Sequence, residues 1–388
     1  MKNFLPVASP AFLGNERRYV LECVDTTWIS SIGKFVDLFE TRFAKYCGVP
    51  HAISCCNGTA ALHAALLGLG IGPGDEVLVP SLTYVATANA VRYCGAEPVF
   101  VDSDLTTWNL DPDDLRSKIT PRTRAIVPVH LYGRPAAMPE ILAIAGDAGL
   151  TVLEDAAEAV GAEVGGRKVG SLSTVAAFSF FGNKILTCGE GGMIVTADAD
   201  LAAKIRQIKG QGQDPNRRYW FPIIGYNYRM TNIEAAIGLA QLERIDDHLA
   251  ARDEIAAWYR EELTGLPGIS IPQGVPNDRS VCWLFSVILQ GEDLGLRDRV
   301  ATYLSGSGIE TRPFFYPCHL LPPYLGSAGG PSCPRAEWLG ARGLSLPTWL
   351  GMERDQVRRV ASSLSEALTS TVSRPAGSTS IRESGRSS

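Results

Sequence analysis

Residues 51–70, HAISCCNGTAALHAALLGLG, place a short apolar run directly before a stretch rich in alanine and leucine. HAISCC (51–56) predicts a strand, and NGTAALHAALLGLG (57–70) predicts a helix that is apolar nearly all round and therefore buried. Further strands are predicted at EVLVP (76–80), EPVFVD (97–102), RAIVPVH (124–130) and LTVLED (150–155), with intervening helices at Thr83 to Cys94, 111–119 and 138–149. This alternation predicts a largely parallel sheet with both faces covered, which is an α/β fold.

The second half of the chain has a different pattern, which predicts a second, smaller domain. AAFSFF (176–181) and GMIVTAD (192–198) still resemble strands, and a helix is predicted from about Leu201. Thr231 to about Leu263 contains few helix breakers and is predicted as one long helix. Beyond it the pattern mixes short strands and helices, with a strand at 282–289 and helices at 296–304 and 355–368. We predict a large domain at 1–245, a smaller α/β domain at 246–371 and a disordered, Ser/Gly/Arg-rich tail at 372–388.

Composition excludes several classes of protein. The 388 residues carry a formal net charge of −5 and no basic run, so nothing predicts nucleic-acid binding. No stretch approaches the roughly 18 apolar residues of a membrane span, and the N-terminal segment lacks the apolar core of a signal peptide. We therefore expect a cytoplasmic protein. Nine irregularly spaced cysteines without C-x-x-C, and five scattered histidines, predict free thiols and no metal site.

The first candidate functional element is Asn57-Gly58-Thr59, between the first strand and its helix. A helix N-terminus offers free N–H groups to an anion, and glycine lets a phosphate approach the backbone. The alternative is that Asn57 or Thr59 merely caps the helix. The glycines of GLGIGPGDE (68–76) follow a helix rather than a strand, so they predict a turn and not a dinucleotide site.

Two further elements carry ionisable groups. Glu154, Asp155 and Glu158 follow the strand LTVL, at the end where α/β sheets place ligands, although an acidic first helical turn would look the same. Lys184, in SFFGNKILTCGEGG, would ordinarily be solvated. Here it follows a buried strand, and a desolvated lysine has a lowered pKa and attacks carbonyls.

One cofactor explains all three elements together. Pyridoxal 5'-phosphate needs an anion cradle, a carboxylate for its ring nitrogen and an amine for a Schiff base. The order phosphate loop, Asp155, Lys184 fits a fold-type I enzyme of this cofactor.

The chain also resembles the DegT/StrS-type sugar aminotransferases, from Pro6 to about residue 370. The stretches that carry the resemblance are NGTAALHAAL, GPGDEVLVPSLTYVATANAV, PVHLYG, LEDAAEA, SFFGNK, GEGGM, GYNYRMTNIEAAIGLAQLERID and TRPFFYPCH. Residues 211–230 and 179–184 look most like the subgroup of GDP-perosamine synthases, which aminate GDP-4-keto-6-deoxymannose.

The resemblance implies a role for each matching residue. Lys184 matches the Schiff-base lysine, Asp155 the partner of the pyridine nitrogen and Tyr84 the aromatic residue stacked on the ring. Gly58, Thr59 and Ser179 match phosphate contacts, and Glu158 matches a position near the ring hydroxyl. Asn227 matches a residue that reaches the phosphate from a neighbouring subunit, which implies a homodimer with a shared site. Candidates for contact with the nucleotide sugar or the donor carboxylate are Arg229, Arg312, Tyr316 and His319.

The activity implied by the resemblance is transfer of the amino group of L-glutamate to a keto carbon of a nucleotide-linked sugar, through pyridoxamine phosphate. A related branch has histidine in place of the lysine and removes oxygen instead, so Lys184 favours transamination. The sequence leaves open a 3-keto GDP-sugar, a dTDP-ketosugar or a cyclitol as substrate. A non-catalytic protein of the same fold, and a deacetylase-like or dehydrogenase α/β enzyme, are alternatives that leave the Asp155 and Lys184 pair unexplained.

Overall fold

The computed structural model describes residues 4–272, 275, 277–326 and 333–372. Its helices are α1 Glu16–Asp25, α2 Lys34–Cys47, α3 Gly58–Gly68, α4 Ala86–Tyr93, α5 Pro112–Ser117, α6 Met138–Ala148, α7 Ala199–Lys209, α8 Asn232–Leu242, α9 Ile245–Leu263, α10 Leu296–Gly306, α11 Pro334–Arg342 and α12 Arg354–Val372. Its strands are β1 His51–Cys55, β2 Glu76–Pro80, β3 Glu97–Val101, β4 Thr123–Ile126, β5 Thr151–Asp155, β6 Glu163–Val164, β7 Arg167–Lys168, β8 Val175–Ser179, β9 Gly192–Thr196, β10 Ile269–Ser270, β11 Asp278–Arg279, β12 Phe285–Leu289, β13 Arg312–Pro313 and β14 Gly343–Leu346.

The main sheet has seven strands in the order β1-β9-β8-β5-β4-β2-β3. Strand β9 is antiparallel to both neighbours, and the pairs from β8 to β3 are parallel. The predicted α/β class with a mixed, mostly parallel sheet is therefore confirmed. Strands β2, β8 and β9 are buried along their whole length, as expected for a sheet with both faces covered.

A second, four-stranded sheet lies in the C-terminal part, in the order β10-β12-β14-β13. Its core is formed with α9, α10 and α12, and includes Tyr259, Phe285 and Leu364. Leu5 joins this core and bridges Ile309, so the first described residues pack against the C-terminal part of the chain.

Two local predictions are wrong. The single helix predicted over 231–263 is two helices, because Arg244 leaves the helical conformation at φ −119° and its guanidinium donates to the Leu13 carbonyl. The strand predicted at 124–130 ends at Ile126. The predicted tail at 372–388 lies, apart from Val372, outside the described residues.

Parallel strands bring their carboxyl ends to one edge of the main sheet. The segments after β1, β2, β5 and β8 all leave the sheet there, and β9 begins there because it runs in the opposite direction. This edge is where α/β folds place their ligands.

Candidate active site

A cavity of about 500 Å³ opens at this edge of the main sheet. Residues at or just after the ends of five strands, β1, β2, β4, β5 and β8, line it, and the segments around Trp283 and Arg312 close it from the C-terminal part. It brings together eight of the predicted site residues, namely Gly58, Thr59, Tyr84, Asp155, Glu158, Ser179, Lys184 and Arg312. Residues far apart in sequence therefore converge on one cavity, as the hypothesis of a single cofactor requires.

The start of α3 forms one end of the cavity. The Asn57 side chain accepts from the Ala60 amide at 2.8 Å, so Asn57 does cap the helix, as the alternative interpretation held. Gly58 has a separate constraint, because a Cβ there would lie 2.7 Å from the Ser179 Cβ. With Gly58, the helix N-terminus packs against Ser179 and its positive dipole end faces the cavity.

Asp155 ends β5 and is buried. Its Oδ2 accepts from the Thr87 hydroxyl at 2.7 Å, and its Oδ1 accepts from the Ala157 amide at 3.1 Å. Burial raises the pKa of the Asp155 carboxyl, and these two hydrogen bonds oppose the rise. A buried carboxylate of this kind favours a cationic partner, such as a protonated ring nitrogen.

Glu154 is the adjacent residue on β5 and has a structural role. It is fully buried and accepts from the amides of Gly170 and Ser173, while His130 Nε2 lies 3.2 Å away. Burial alone would raise the pKa of Glu154, but these bonds hold it below its ordinary value. Of the two carboxyls, only Asp155 lines the cavity.

Lys184 lies between a carboxylate and an aromatic ring. Its side chain is 12% exposed, and Nζ lies 3.5 Å from Glu158 Oε1 and 3.7 Å from the centroid of the Trp283 ring. Burial lowers the pKa of the Lys184 amine and raises that of the Glu158 carboxyl, so both shifts favour the neutral forms. A lysine that is readily neutral is a better nucleophile toward a carbonyl.

Aromatic rings form one wall of the cavity. Trp283 and Tyr132 are nearly parallel at 6.0 Å between centroids, and Tyr132 and Phe315 are nearly parallel at 5.5 Å. Tyr84 continues the series, 5.7 Å from Phe315, and is 58% exposed. Tyr84 therefore presents a ring face to a ligand without having to leave a packed core.

The other four predicted site residues do not line this cavity in the described chain. Asn227 is exposed, and the Arg229 Nε donates to the Ser31 hydroxyl at 3.1 Å. Tyr316 is exposed, while His319 lies 2.6 Å from the Ser81 hydroxyl and 3.2 Å from Glu337.

Sequence reasoning missed Thr87 and Trp283. Thr87 lies three residues after Tyr84, on α4, and a search for hydroxyls near the predicted cofactor residues would have found it. Trp283 has no local signal, because only the tertiary fold brings it to Lys184.

The cavity fits pyridoxal phosphate. The close approach of Gly58 and Ser179 leaves a cradle at a helix N-terminus, and a buried carboxyl and a buried amine share the same cavity. Within the described ranges, no group of three metal-ligating side chains is placed to hold a metal ion.

Comparison with known proteins decides the family. Residues 12–365 match the DegT/DnrJ/EryC1/StrS aminotransferase family. The chain belongs to this family. This aminotransferase is 57% identical over 366 residues to a GDP-perosamine synthase of Caulobacter vibrioides. The match covers 94% of this chain and 98% of that relative. It is 42% identical over 338 residues to a dTDP-3-amino-3,4,6-trideoxy-alpha-D-glucose transaminase of Streptomyces venezuelae. That match covers 86% of this chain and 87% of the relative.

A solved structure supports the same assignment. A structure from Streptococcus pneumoniae is described as that of a sugar aminotransferase in its PLP form. It superposes on this chain with a TM-score of 0.89. Its sequence is 25% identical, and the match covers 95% of this chain and 99% of that one. The protein is thus a pyridoxal-phosphate-dependent sugar aminotransferase. No helix among the residues that the structure describes is long and apolar enough to cross a membrane.

Proposed function

We propose that this aminotransferase moves the amino group of L-glutamate to the keto carbon of GDP-4-keto-6-deoxymannose, giving GDP-perosamine. The observation that supports this choice of substrate is the 57% identity to a GDP-perosamine synthase over 94% of this chain. A dTDP-linked ketosugar is the second candidate, because the 42% identical relative is named for a dTDP-amino sugar.

Lys184 and Asp155 carry the chemistry in this proposal. When bound, pyridoxal phosphate supplies an electron-accepting ring. Asp155 holds the proton on the ring nitrogen, and the donors Thr87 and Ala157 keep its two oxygens in place. Lys184 is the residue that would hold the cofactor, and its amine, once free, would act as the base that takes the proton from the α-carbon of glutamate and, as an ammonium, as the acid that gives a proton to the sugar carbon. The lowered pKa of Lys184 favours the neutral amine that proton removal from glutamate needs.

The remaining cavity residues bind and orient. We assign Gly58, Thr59 and Ser179 to the phosphate, because Gly58 and Thr59 begin α3 and Ser179 packs against Gly58. We assign Tyr84 to the ring face. Glu158 lies near the ring hydroxyl in this proposal, and its Oε2 is fixed by the Tyr132 amide at 2.7 Å.

We assign Arg312, which lines the cavity, to the donor carboxylate or to the nucleotide diphosphate. Arg229, Tyr316 and His319 are further candidates for these contacts, and among the described residues they lie outside the cavity. We also propose a large domain at 1–245 and a small domain at 246–371. The separate core under the second sheet supports this division, although Leu5 belongs to that core.

We propose a homodimer in which Asn227 completes the neighbouring subunit's site. Asn227 is exposed, as this role requires. Exposed apolar side chains support a second copy as the partner, since Trp28 is 56%, Ile32 72% and Ile224 88% exposed.

Mixing two inactive variants tests the shared site. Asn227→Ala and Lys184→Ala chains are denatured together and refolded, and each variant refolded alone is the control. If Asn227 acts across the interface, half of the dimers are mixed and each carries one intact site, so about a quarter of wild-type activity returns. Activity no higher than that of the separately refolded variants would overturn the shared site.

A turnover assay tests the substrate. Purified enzyme receives pyridoxal phosphate, L-glutamate and GDP-4-keto-6-deoxymannose, and the product is identified by mass spectrometry and NMR. Lys184→Ala should form no product, while Lys204→Ala, which replaces an exposed lysine on α7, should match wild type. If glutamate converts the cofactor to pyridoxamine phosphate but no 4-amino GDP-sugar forms, the proposed substrate is refuted. dTDP-ketosugars would then be tested.

A further inference from the structure

The Lys184 amine contacts an aromatic face that none of the roles assigned above uses. Nζ lies 3.7 Å from the centroid of the Trp283 ring, well inside the range of about 6 Å for a cation–π interaction. The contact joins two parts of the chain, because Lys184 follows the main sheet and Trp283 precedes β12 of the second sheet.

The Trp283 ring is fixed in place. Its indole N–H donates to the carbonyl of Asn183, the residue before Lys184, at 2.8 Å, and the residue is 4% exposed. The ring also stacks on Tyr132 with an interplanar angle of 15°. A buried ring held at its polar edge and on one face has little freedom to turn away from the lysine.

The backbone around Trp283 is held just as firmly. The Val281 amide donates to the Gly133 carbonyl at 2.8 Å, and Gly133 has a φ of +84° and would place a Cβ 2.1 Å from the Val281 carbonyl oxygen. Arg252, on α9, donates to the carbonyl of Trp283 at 2.8 Å. Three separate elements therefore set the position of the indole.

We propose that Trp283 is a positioning residue that receives the freed Lys184 side chain as an ammonium while the lysine carries the proton that it has taken up. The proposal rests on the function proposed for Lys184. The face of the indole and the Glu158 carboxylate together hold the charged form inside a cavity that otherwise disfavours it.

Four groups set the charge of this amine. Glu158 and Asp155, both from the end of β5 and the turn after it, favour the ammonium, and Arg312 from β13 disfavours it. The Trp283 face adds a further attraction for the cation. Without that face the ammonium loses a partner, so the pKa of Lys184 falls. A desolvated cation–π contact corresponds to a shift of about one pH unit.

The test measures the Lys184 amine directly. The enzyme is loaded with pyridoxamine phosphate, so that the lysine is free, and trace-labelled with acetic anhydride across a pH range. Peptide mass spectrometry gives the labelling midpoint of Lys184 in wild type, Trp283→Phe and Trp283→Leu. Trp338→Leu removes a tryptophan that faces Arg342 outside the cavity, and it is the control.

We expect the midpoint to fall by about one pH unit in Trp283→Leu and by less in Trp283→Phe, because phenylalanine keeps a weaker face. Trp338→Leu should keep the wild-type midpoint. A midpoint in Trp283→Leu that is unchanged or higher would overturn the proposal, and if that variant does not fold, an unchanged midpoint in Trp283→Phe would do so. No sugar is present in this experiment, so failure of the substrate assignment leaves its result intact.

Discussion

Replacing Thr87 by valine removes one hydrogen bond while nearly conserving shape. Thr87 is buried on α4, and its hydroxyl donates to Asp155 Oδ2 at 2.7 Å. In the described chain the variant leaves the Ala157 amide, at 3.1 Å, as the donor to Asp155. The ionised carboxylate loses more stabilisation from the missing hydrogen bond than the protonated acid does. The pKa of Asp155 therefore rises further above its ordinary value.

The size of the shift follows from the strength of the bond. A hydrogen bond to a charged group contributes about 1.5–3 kcal/mol, which corresponds to a rise of about one to two pKa units. In the function proposed above, the ring nitrogen of the cofactor would pair with the ionised form of Asp155. As the pH is lowered, the variant should therefore lose affinity for pyridoxal phosphate at a higher pH than wild type does. At high pH its affinity should approach the wild-type value.

The assay titrates cofactor-free protein with pyridoxal phosphate over a range of pH and follows the absorbance of the bound form. Titration of the cofactor itself is common to all variants and cancels in the comparison. Thr87→Ser keeps the hydroxyl and should follow wild type. If the affinity of Thr87→Val falls at the same low pH as that of Thr87→Ser, the assignment of Asp155 as the group that binds the ring nitrogen is refuted.

Two further variants test neighbouring features of the site. Gly58→Ala places a Cβ 2.7 Å from the Ser179 Cβ, and overpacking of about 1–3 kcal/mol predicts roughly five- to 150-fold weaker binding of pyridoxal phosphate. Gly146→Ala, in α6 where a Cβ meets nothing within 4 Å, should bind like wild type, and equal affinities for the two variants would contradict the cradle. Glu158→Gln removes the carboxylate 3.5 Å from Lys184, so the labelling midpoint of the lysine should fall by about one pH unit or more. A midpoint that rises would show that Glu158 is not the partner of the amine.

The sequence predicted the sheet because its strands are short apolar runs between helix caps and glycines. The helix predicted at 111–119, for example, is α5, which begins with Asp111 as its cap and Pro112 as its first residue, and the Asp111 side chain accepts from the Asp113 amide. The break between α8 and α9 has no such signal. It contains neither glycine nor proline, and it depends on a contact between Arg244 and the distant Leu13 carbonyl.

The candidate site divides in the same way. Asp155 ends one predicted strand and Lys184 follows another, so the topology of a parallel sheet is enough to bring them to one edge. Trp283 reaches Lys184 only because the loop before β12 docks on Gly133, and no short-range pattern encodes that contact. The opposite roles of Glu154 and Asp155 depend on which side of β5 faces the cavity, which their position at the end of the strand does not reveal.

The most direct test of the account is to locate the cofactor on the chain. Wild-type enzyme with bound pyridoxal phosphate is reduced with borohydride, digested and examined by peptide mass spectrometry. The account predicts a phosphopyridoxyl group on Lys184, and none on any lysine of Lys184→Ala treated in the same way. A wild-type label on another lysine, with Lys184 unmodified, would contradict the assignment on which the rest of the mechanism depends.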